Sequence, residues 1–365
     1  MNRVIPLGMN LRIANLLVFT LMAGAHLLSA TTLVVGNCKG SSPYSTIQAA
    51  IDAAPVGAVV QVCPDNYYEQ VTITQAVTLE GITSDNDDLV VISPPSGGLT
   101  QTTINAYGTL VAYQVLAQNA SGPVNISNIY VSGSNEGFLG AYIAGIFYQN
   151  VRGTIDGAVT EGQSGNGNGV GIWLEGGSSS PSVTVKNSFA HGVDYAGIFA
   201  ETAYQGASAL TAKITANYLT SNGAAGIFIG QGSTSTVSNN VVDCNSIPQA
   251  NGILVVSPAD GSVSGNAISN CTYGISSNAD AVAVTTNTVV DSFYGIYLQS
   301  AVETVKSNSF IGNNIAIEFS CYANPHVVSN TINNGYVGLD HVPSGLGTTT
   351  NKVFNIYGTI KTSGC

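Results

Sequence analysis

Positive charge is nearly absent from this chain. Its 365 residues hold nine Lys and Arg against twenty Asp and Glu, a formal net charge of −11. Two of the basic residues, Arg3 and Arg12, fall in the first 30 positions, so residues 31–365 carry seven basic and twenty acidic groups, or −13. Without a basic stripe the chain lacks what nucleic acid or an anionic membrane surface would need, and neither is expected as a partner. Charged residues of both signs make up only 8%. A chain so poor in charge and so rich in Gly, with 42, stays soluble only by burying a regular apolar core or by remaining disordered. No apolar run reaches the roughly 20 residues that span a bilayer. The longest, Ile13 to Ala25, follows Arg3 and Arg12 and ends at Leu28-Ser29-Ala30, which reads as a secretory signal over 1–30. A mature chain of 31–365 is expected, secreted or periplasmic, as a single domain and a monomer.

What the chain does contain is a period. Gly145-Ile146, Gly171-Ile172, Gly197-Ile198, Gly226-Ile227, Gly252-Ile253, Gly274-Ile275, Gly295-Ile296, Ala316-Ile317 and Gly338-Leu339 recur at spacings of 21 to 29 residues. Self-similarity in that range marks a solenoid. A second ladder runs beside it: Asn187, Asn217, Asn240, Asn266, Asn287, Asn308, Asn330 and Asn351. Ser262 to Ile268, Val282 to Val289 and Val305 to Phe310 alternate apolar and polar residues and are rich in β-branched types, which predicts strands. Parallel rungs about 4.8 Å apart would bring successive Asn amides within hydrogen-bonding reach. Leucine-rich repeats are excluded because the Leu-x-x-Leu-x-Leu frame is missing. Left-handed hexapeptide helices are excluded because turn length drifts. The pattern predicts an all-β, right-handed parallel β-helix of roughly 12 turns, about 55 to 60 Å long. An amphipathic helix over 45–54, with Ser45 or Thr46 as its cap, closes the N-terminal end. Residues 31–82 then form the cap and first turns, and 83–365 the remaining coil.

The segments Tyr44 to Ala54, Val59 to Val62, Tyr68 to Ile73 and Val77 to Gly81 resemble the opening of the pectin-lyase-like superfamily. The resemblance is close over 44–82 and rests elsewhere on repeat grammar alone. It implies the fold and export, and speaks little about activity. Signatures of its enzymes are missing. Pectinesterases use paired Asp, Gln and an Arg-Pro-Trp segment, whereas Arg152 is followed by Gly153 and the single Trp is Trp173. Of the polygalacturonase set only the fragments His191-Gly192 and Asp87-Asp88 occur. A lyase would need a base from Arg152, Lys186 or Lys213, and a surface this acidic repels a polyuronate.

Six Cys in an exported chain suggest disulfides. Rung stacking favours Cys38 with Cys63 and Cys244 with Cys271, leaving Cys321 with Cys365; buried free thiols are the other reading.

Chemistry is expected on the outward face of the Gly-Ile strands. Side chains alternate along a strand, so positions two and four after the Gly point away from the core. Position two reads Phe147, Trp173, Phe199 and Phe228, and position four begins Gln149, Glu175 and Glu201. Aromatic faces pack on sugar rings while carboxylates and amides hold hydroxyls. The expected site places Glu175, Glu201 and Asp194 as catalytic groups. Phe147, Gln149, Arg152, Trp173, Phe199, Phe228 and Asn168 are its substrate contacts. Two stacked carboxylates about 5 Å apart cannot both ionise cheaply, so one would keep its proton and serve as general acid, at a separation near that of retaining glycosidases. No cofactor is expected, although the same pair could hold Ca²⁺. The competing account of the aromatic row is cross-strand packing beneath a long loop. Three function classes follow: a polysaccharide hydrolase or lyase, a carbohydrate-binding protein without turnover, and a structural or adhesive surface protein.

Overall fold

The computed structural model describes residues 30–40, 43–83, 89–134, 137, 142–165, 167–202, 209–279, 281–299, 304–320, 323, 325–343, 346 and 350–358. The expected signal over 1–30, apart from its last residue, lies outside these residues, as do Asp87, Asp88, Cys321 and Cys365.

Each regular turn contributes one strand to each of three sheets, because the chain bends three times between successive Gly-Ile steps. Tyr294–Leu298 lies in one sheet, Thr304–Lys306 in the next and Ser309–Ile311 in the third, before Ile315–Phe319 returns to the first position. The three sheets hold 12 strands each, parallel throughout except for Thr102–Ile104, which pairs antiparallel with Leu110–Gln118. The chain is thus a parallel β-helix. We call the sheet that starts with Thr32–Val35 the first, the one that starts with Asp65–Tyr68 the second, and the one carrying the Gly-Ile steps the third.

The Gly-Ile row stacks in register from Ile146 through Ile172, Ile198, Ile227, Ile253, Ile275, Ile296 and Ile317 to Leu339. These side chains are at most 1% exposed and join one continuous core with Val263, Val284 and Val305 of the first sheet and Ile268, Val289 and Phe310 of the second. Glycine precedes the Ile because the turns nearly touch there. A Cβ at Gly252 would stand 2.4 Å from Ile268 and 2.5 Å from the Gly274 carbonyl; at Gly274 it would meet Val289 at 2.4 Å and the Gly295 carbonyl at 2.5 Å.

The stretches read from sequence as continuous strands bend at a corner. Ser262 to Ile268 divides into Asp260–Ser264 and Ala267–Ser269, and the Val282 and Val305 stretches divide alike. At each corner a residue with positive φ, such as Gly265 (66°), Thr286 (57°) or Ser307 (58°), turns the chain. The ladder Asn follows it. From Asn217 through Asn240, Asn266, Asn287, Asn308 and Asn330 to Asn351, each amide donates to the next Oδ1 at 2.9 to 3.0 Å. Each Nδ2 from Asn217 to Asn330 also reaches a first-sheet carbonyl. Asn187 is not in this ladder. Phe189 pairs with Tyr218 and Ala190 with Leu219, so Ser188 occupies the rung, its N–H donating to Asn217 Oδ1 at 3.0 Å. Asn187 is the corner residue (φ 51°), exposed and bonded to Asp156. Asn suits both places, as a left-handed turn residue and as an amide rung, and the sequence does not distinguish them.

The helix spans Ile47–Ala53 and buries Ile47, Ala50 and Ile51; Thr46 is its cap, accepting from Ala49 N. Both Glu69 carboxylate oxygens accept from the first free amides, Ile47 N and Gln48 N. Cys38–Cys63 and Cys244–Cys271 are bonded, with Cα atoms 5.5 and 4.9 Å apart.

Candidate functional site

On the third sheet the alternation holds. Phe147, Trp173, Phe199 and Phe228 stand side by side in register, as do Gln149, Glu175 and Glu201. Their rings pack at centroid distances of 4.9, 5.3 and 4.7 Å. They belong to an apolar cluster separate from the main core, with Val111, Tyr113, Leu116, Ala144, Val170 and Ala196, and with Tyr142 and Tyr195 packed edge-on. Phe147 is 0% exposed and Trp173 1%. The sugar platform expected of these two rings is therefore ring-on-ring packing, since neither leaves a face for a ligand.

The hairpin formed by Thr102–Ile104 and the start of Leu110–Gln118 is latched over the acidic row. Ala106 N donates to Glu175 Oε1 at 2.7 Å, and Gln149 Nε2 donates to Glu175 Oε2 at 2.9 Å and to the Ile104 carbonyl at 2.7 Å. Tyr107 OH reaches the Thr202 carbonyl at 3.2 Å. Both oxygens of Glu175 are engaged, and Gln149 positions the hairpin.

Beside the latch a cleft of about 320 Å³ remains. Trp173, Phe199 and Glu201 are its buried lining; Tyr107, Tyr142, Tyr195 and Phe228 are the more exposed walls, with Asn105, Gln231 and Val256 completing it. Glu201 is 5% exposed and accepts from Trp173 Nε1 at 3.1 Å. Burial, then the neighbouring Glu175 charge, push its carboxyl up to about 8, against the opposing hydrogen bonds of Tyr107 and Trp173. Burial also raises Glu175, opposed by the Ala106 amide and Gln149. Burial, then Tyr142 and Glu201, push the Tyr195 phenol up to about 12. At neutral pH Glu201 thus sits protonated between aromatic walls. The donors facing the two carboxylates, three N–H groups and the Tyr107 hydroxyl, compete with a cation for them.

The other expected residues lie elsewhere. Asp194 accepts from Ser164 Oγ at 3.0 Å and Gly167 N at 3.2 Å, closing the turn that contains Asn168. Neither lines the cleft. Arg152 is exposed and likewise outside it; Lys186 pairs with Asp156 at 3.0 Å. The structure adds Asn105, Tyr107, Tyr142 and Tyr195. Tyr195 stands two residues before Gly197 and Tyr142 three before Gly145, so no single position of the repeat marks both. Asn105 and Tyr107 come from an antiparallel hairpin that repeat grammar does not encode.

Farther along the same face, Glu318, Asp340 and His341 gather within 4.8 Å of one another, with His341 Nδ1 2.7 Å from Glu318 Oε1.

A model of the family described as periplasmic copper-binding protein (NosD) matches residues 201–362, under half of the chain. No curated protein matches the sequence. Among solved structures, the catalytic domain of a GH87 α-1,3-glucanase in complex with nigerose is similar with a TM-score of 0.59 and 13% identity. The match covers 90% of this chain and 65% of that one. The GH136 lacto-N-biosidase from Eubacterium ramulus has a TM-score of 0.57 and 11% identity over 89% and 68%. The A-module of a mannuronan C-5 epimerase from Azotobacter vinelandii has 0.51 and 15% over 87% and 93%. Identities this low speak for the fold alone: the chain is a right-handed parallel β-helix repeat protein. As to copper, residues 201–362 contain no Met; Cys244 and Cys271 are tied in a disulfide, and the third Cys of this stretch, Cys321, lies outside the described residues. Glu318, Asp340 and His341 offer two carboxylates and one imidazole. Copper favours sulfur and several imidazoles, and carboxylates suit harder ions, so these residues do not fit a copper centre. Among the described residues no helix is long and apolar enough to cross a membrane.

Proposed function

We propose that this is an exported polysaccharide-binding protein whose cleft takes a sugar unit between Tyr107, Tyr195 and Phe228, with the Glu201 carboxyl at its base. The observation that carries this reading is the placement of one buried, hydrogen-bonded carboxyl among half-exposed aromatic rings, the arrangement by which apolar walls and a few polar groups recognise a saccharide. The leading segment and the two disulfides support export. The excess of negative charge favours a neutral glycan over a polyuronate.

Cleavage would have to run on Glu201 as general acid. Glu175 is occupied by Ala106 N and Gln149, and Asp194 lies outside the cleft, so no second carboxylate stands ready to attack or to activate water. Binding without turnover is therefore the stronger form of the proposal. The burial of Phe147 and Trp173 favours one rival, a purely structural or adhesive coil.

A polysaccharide panel decides between them, read by binding, reducing-end release and absorbance of unsaturated products. Wild type is expected to bind a neutral glycan, and Tyr195→Ala to weaken that binding at least about tenfold, the scale of one lost aromatic contact. Tyr195 is the better probe, because truncating the packed Trp173 would disturb the fold as well. No signal in any of the three assays would leave the structural reading.

A further inference from the structure

A second hollow, of about 560 Å³, lies on the outer face of the second sheet, away from the sheet that carries the cleft. Register builds its floor: Asn66 pairs with Val91 and Val91 with Tyr130, while Tyr68 pairs with Ser93. Pro94, Pro95 and Ser96 leave the strand after Ser93 and form one wall, and Ser132 and Ser134 form another. Among the described residues no charged side chain lines it. Its polar groups are hydroxyls and one amide, and its apolar surface is tyrosine, proline and valine. Tyr130 is held from below by its hydrogen bond to Glu161.

On other parts of the coil some rings stack on the ring of the next turn, as Phe189 does on Tyr218 (5.5 Å, 5° between planes) and Tyr273 on Tyr294 (5.1 Å, 7°). Such rings spend their faces on each other and turn edges to solvent. Tyr68 is 67% exposed and joins no ring pair among the described residues, so a full aromatic face is open beside the serine hydroxyls. The volume falls in the usual range for small-molecule sites, about 300 to 1,000 Å³.

We infer that this hollow is a binding site for a neutral saccharide, stacked on Tyr68 and hydrogen-bonded by Ser93, Ser96 and Ser132. The described lining, being uncharged, gives no compensation for burying a phosphate, sulfate or uronate, whereas hydroxyls beside an aromatic face match both surfaces of a pyranose. The site is independent of the cleft, so either can stand without the other.

The test is saturation-transfer NMR and calorimetry on the mature chain with cellobiose, maltose, laminaribiose and N-acetyllactosamine, and glucuronate as the charged control. At least one neutral disaccharide is expected to bind while glucuronate does not. Tyr68→Ala, which removes the stacking face, and Ser96→Trp, which fills the hollow from an exposed position, should each weaken that binding tenfold or more; Tyr195→Ala should leave this site's affinity unchanged. Failure of all four disaccharides to bind, glucuronate binding equally well, or wild-type affinity in either Tyr68→Ala or Ser96→Trp would overturn the assignment.

Discussion

Replacing Asn287 by Ala is expected to remove on the order of 3 to 5 kcal/mol of stability, although the residue touches no ligand and contributes nothing to the apolar core. Asn287 is 1% exposed. Its Oδ1 accepts from both the backbone N–H and the Nδ2 of Asn266, at 3.0 and 2.9 Å, and its Nδ2 donates to the Val263 carbonyl and Asn308 Oδ1, at 2.9 and 3.0 Å. Truncation orphans these groups inside a closed coil where water cannot replace the lost partner. Each unsatisfied buried group costs about 1 to 3 kcal/mol, with incomplete additivity because neighbours relax. Asn187→Ala provides the contrast. Its exposed side chain donates only to Asp156, which also pairs with Lys186, so the loss should stay within about 1 kcal/mol, much of it from asking Ala to hold a positive φ. Guanidinium denaturation checks both, together with hydrogen exchange at the Asn266 amide, which should lose protection in Asn287→Ala alone. Equal losses in the two variants would contradict the register described above.

The second large effect is a pH dependence that one substitution removes. Glu201 is held near 8, against 4.5 for a free glutamic acid, chiefly by burial and secondarily by Glu175. Between those values the folded chain binds a proton that the unfolded chain has released, so the folded state loses stability as pH rises. The contribution is complete below about pH 4.5 and is lost as pH climbs through about 8. Glu201→Gln keeps an acceptor for Trp173 Nε1 but has no charge to bury. It should match the wild type near pH 5 and exceed it by on the order of 3 kcal/mol at pH 9, a gap set by about 1.4 kcal/mol per pH unit and reduced by relaxation around the ionised group. Thermal melts of both proteins from pH 5 to 9 measure it. Parallel curves would mean that Glu201 is hydrated and ionised, which would also remove the protonated carboxyl from the cleft.

These two cases show how differently the coil and the site are written in the sequence. The ladder was visible as recurring Asn, and its one error, Asn187 for Ser188, arose because Asn serves the corner and the rung equally well. Phe189, next to that rung, points outward onto Tyr218. In the same way Phe147, Trp173, Phe199 and Phe228 were correctly placed on one outward row, since a period of two fixes the face. Their exposure was not readable, because it depends on neighbours drawn from outside the repeat.

By itself, then, the amino-acid order determined the rungs. Glycine where turns nearly touch, an inward Ile beside it and an amide at the corner are local demands repeated every turn, so a single chain displays them without coordinates. Tertiary structure alone decided which acid lines the cleft. Residues 102–110 fold back across a face built from residues some 40 to 100 positions later, binding Glu175 with a backbone amide and leaving Glu201 as the buried carboxyl that lines the cleft. That contact has no period and no motif, because it depends on where a loop comes to rest once the coil exists to receive it.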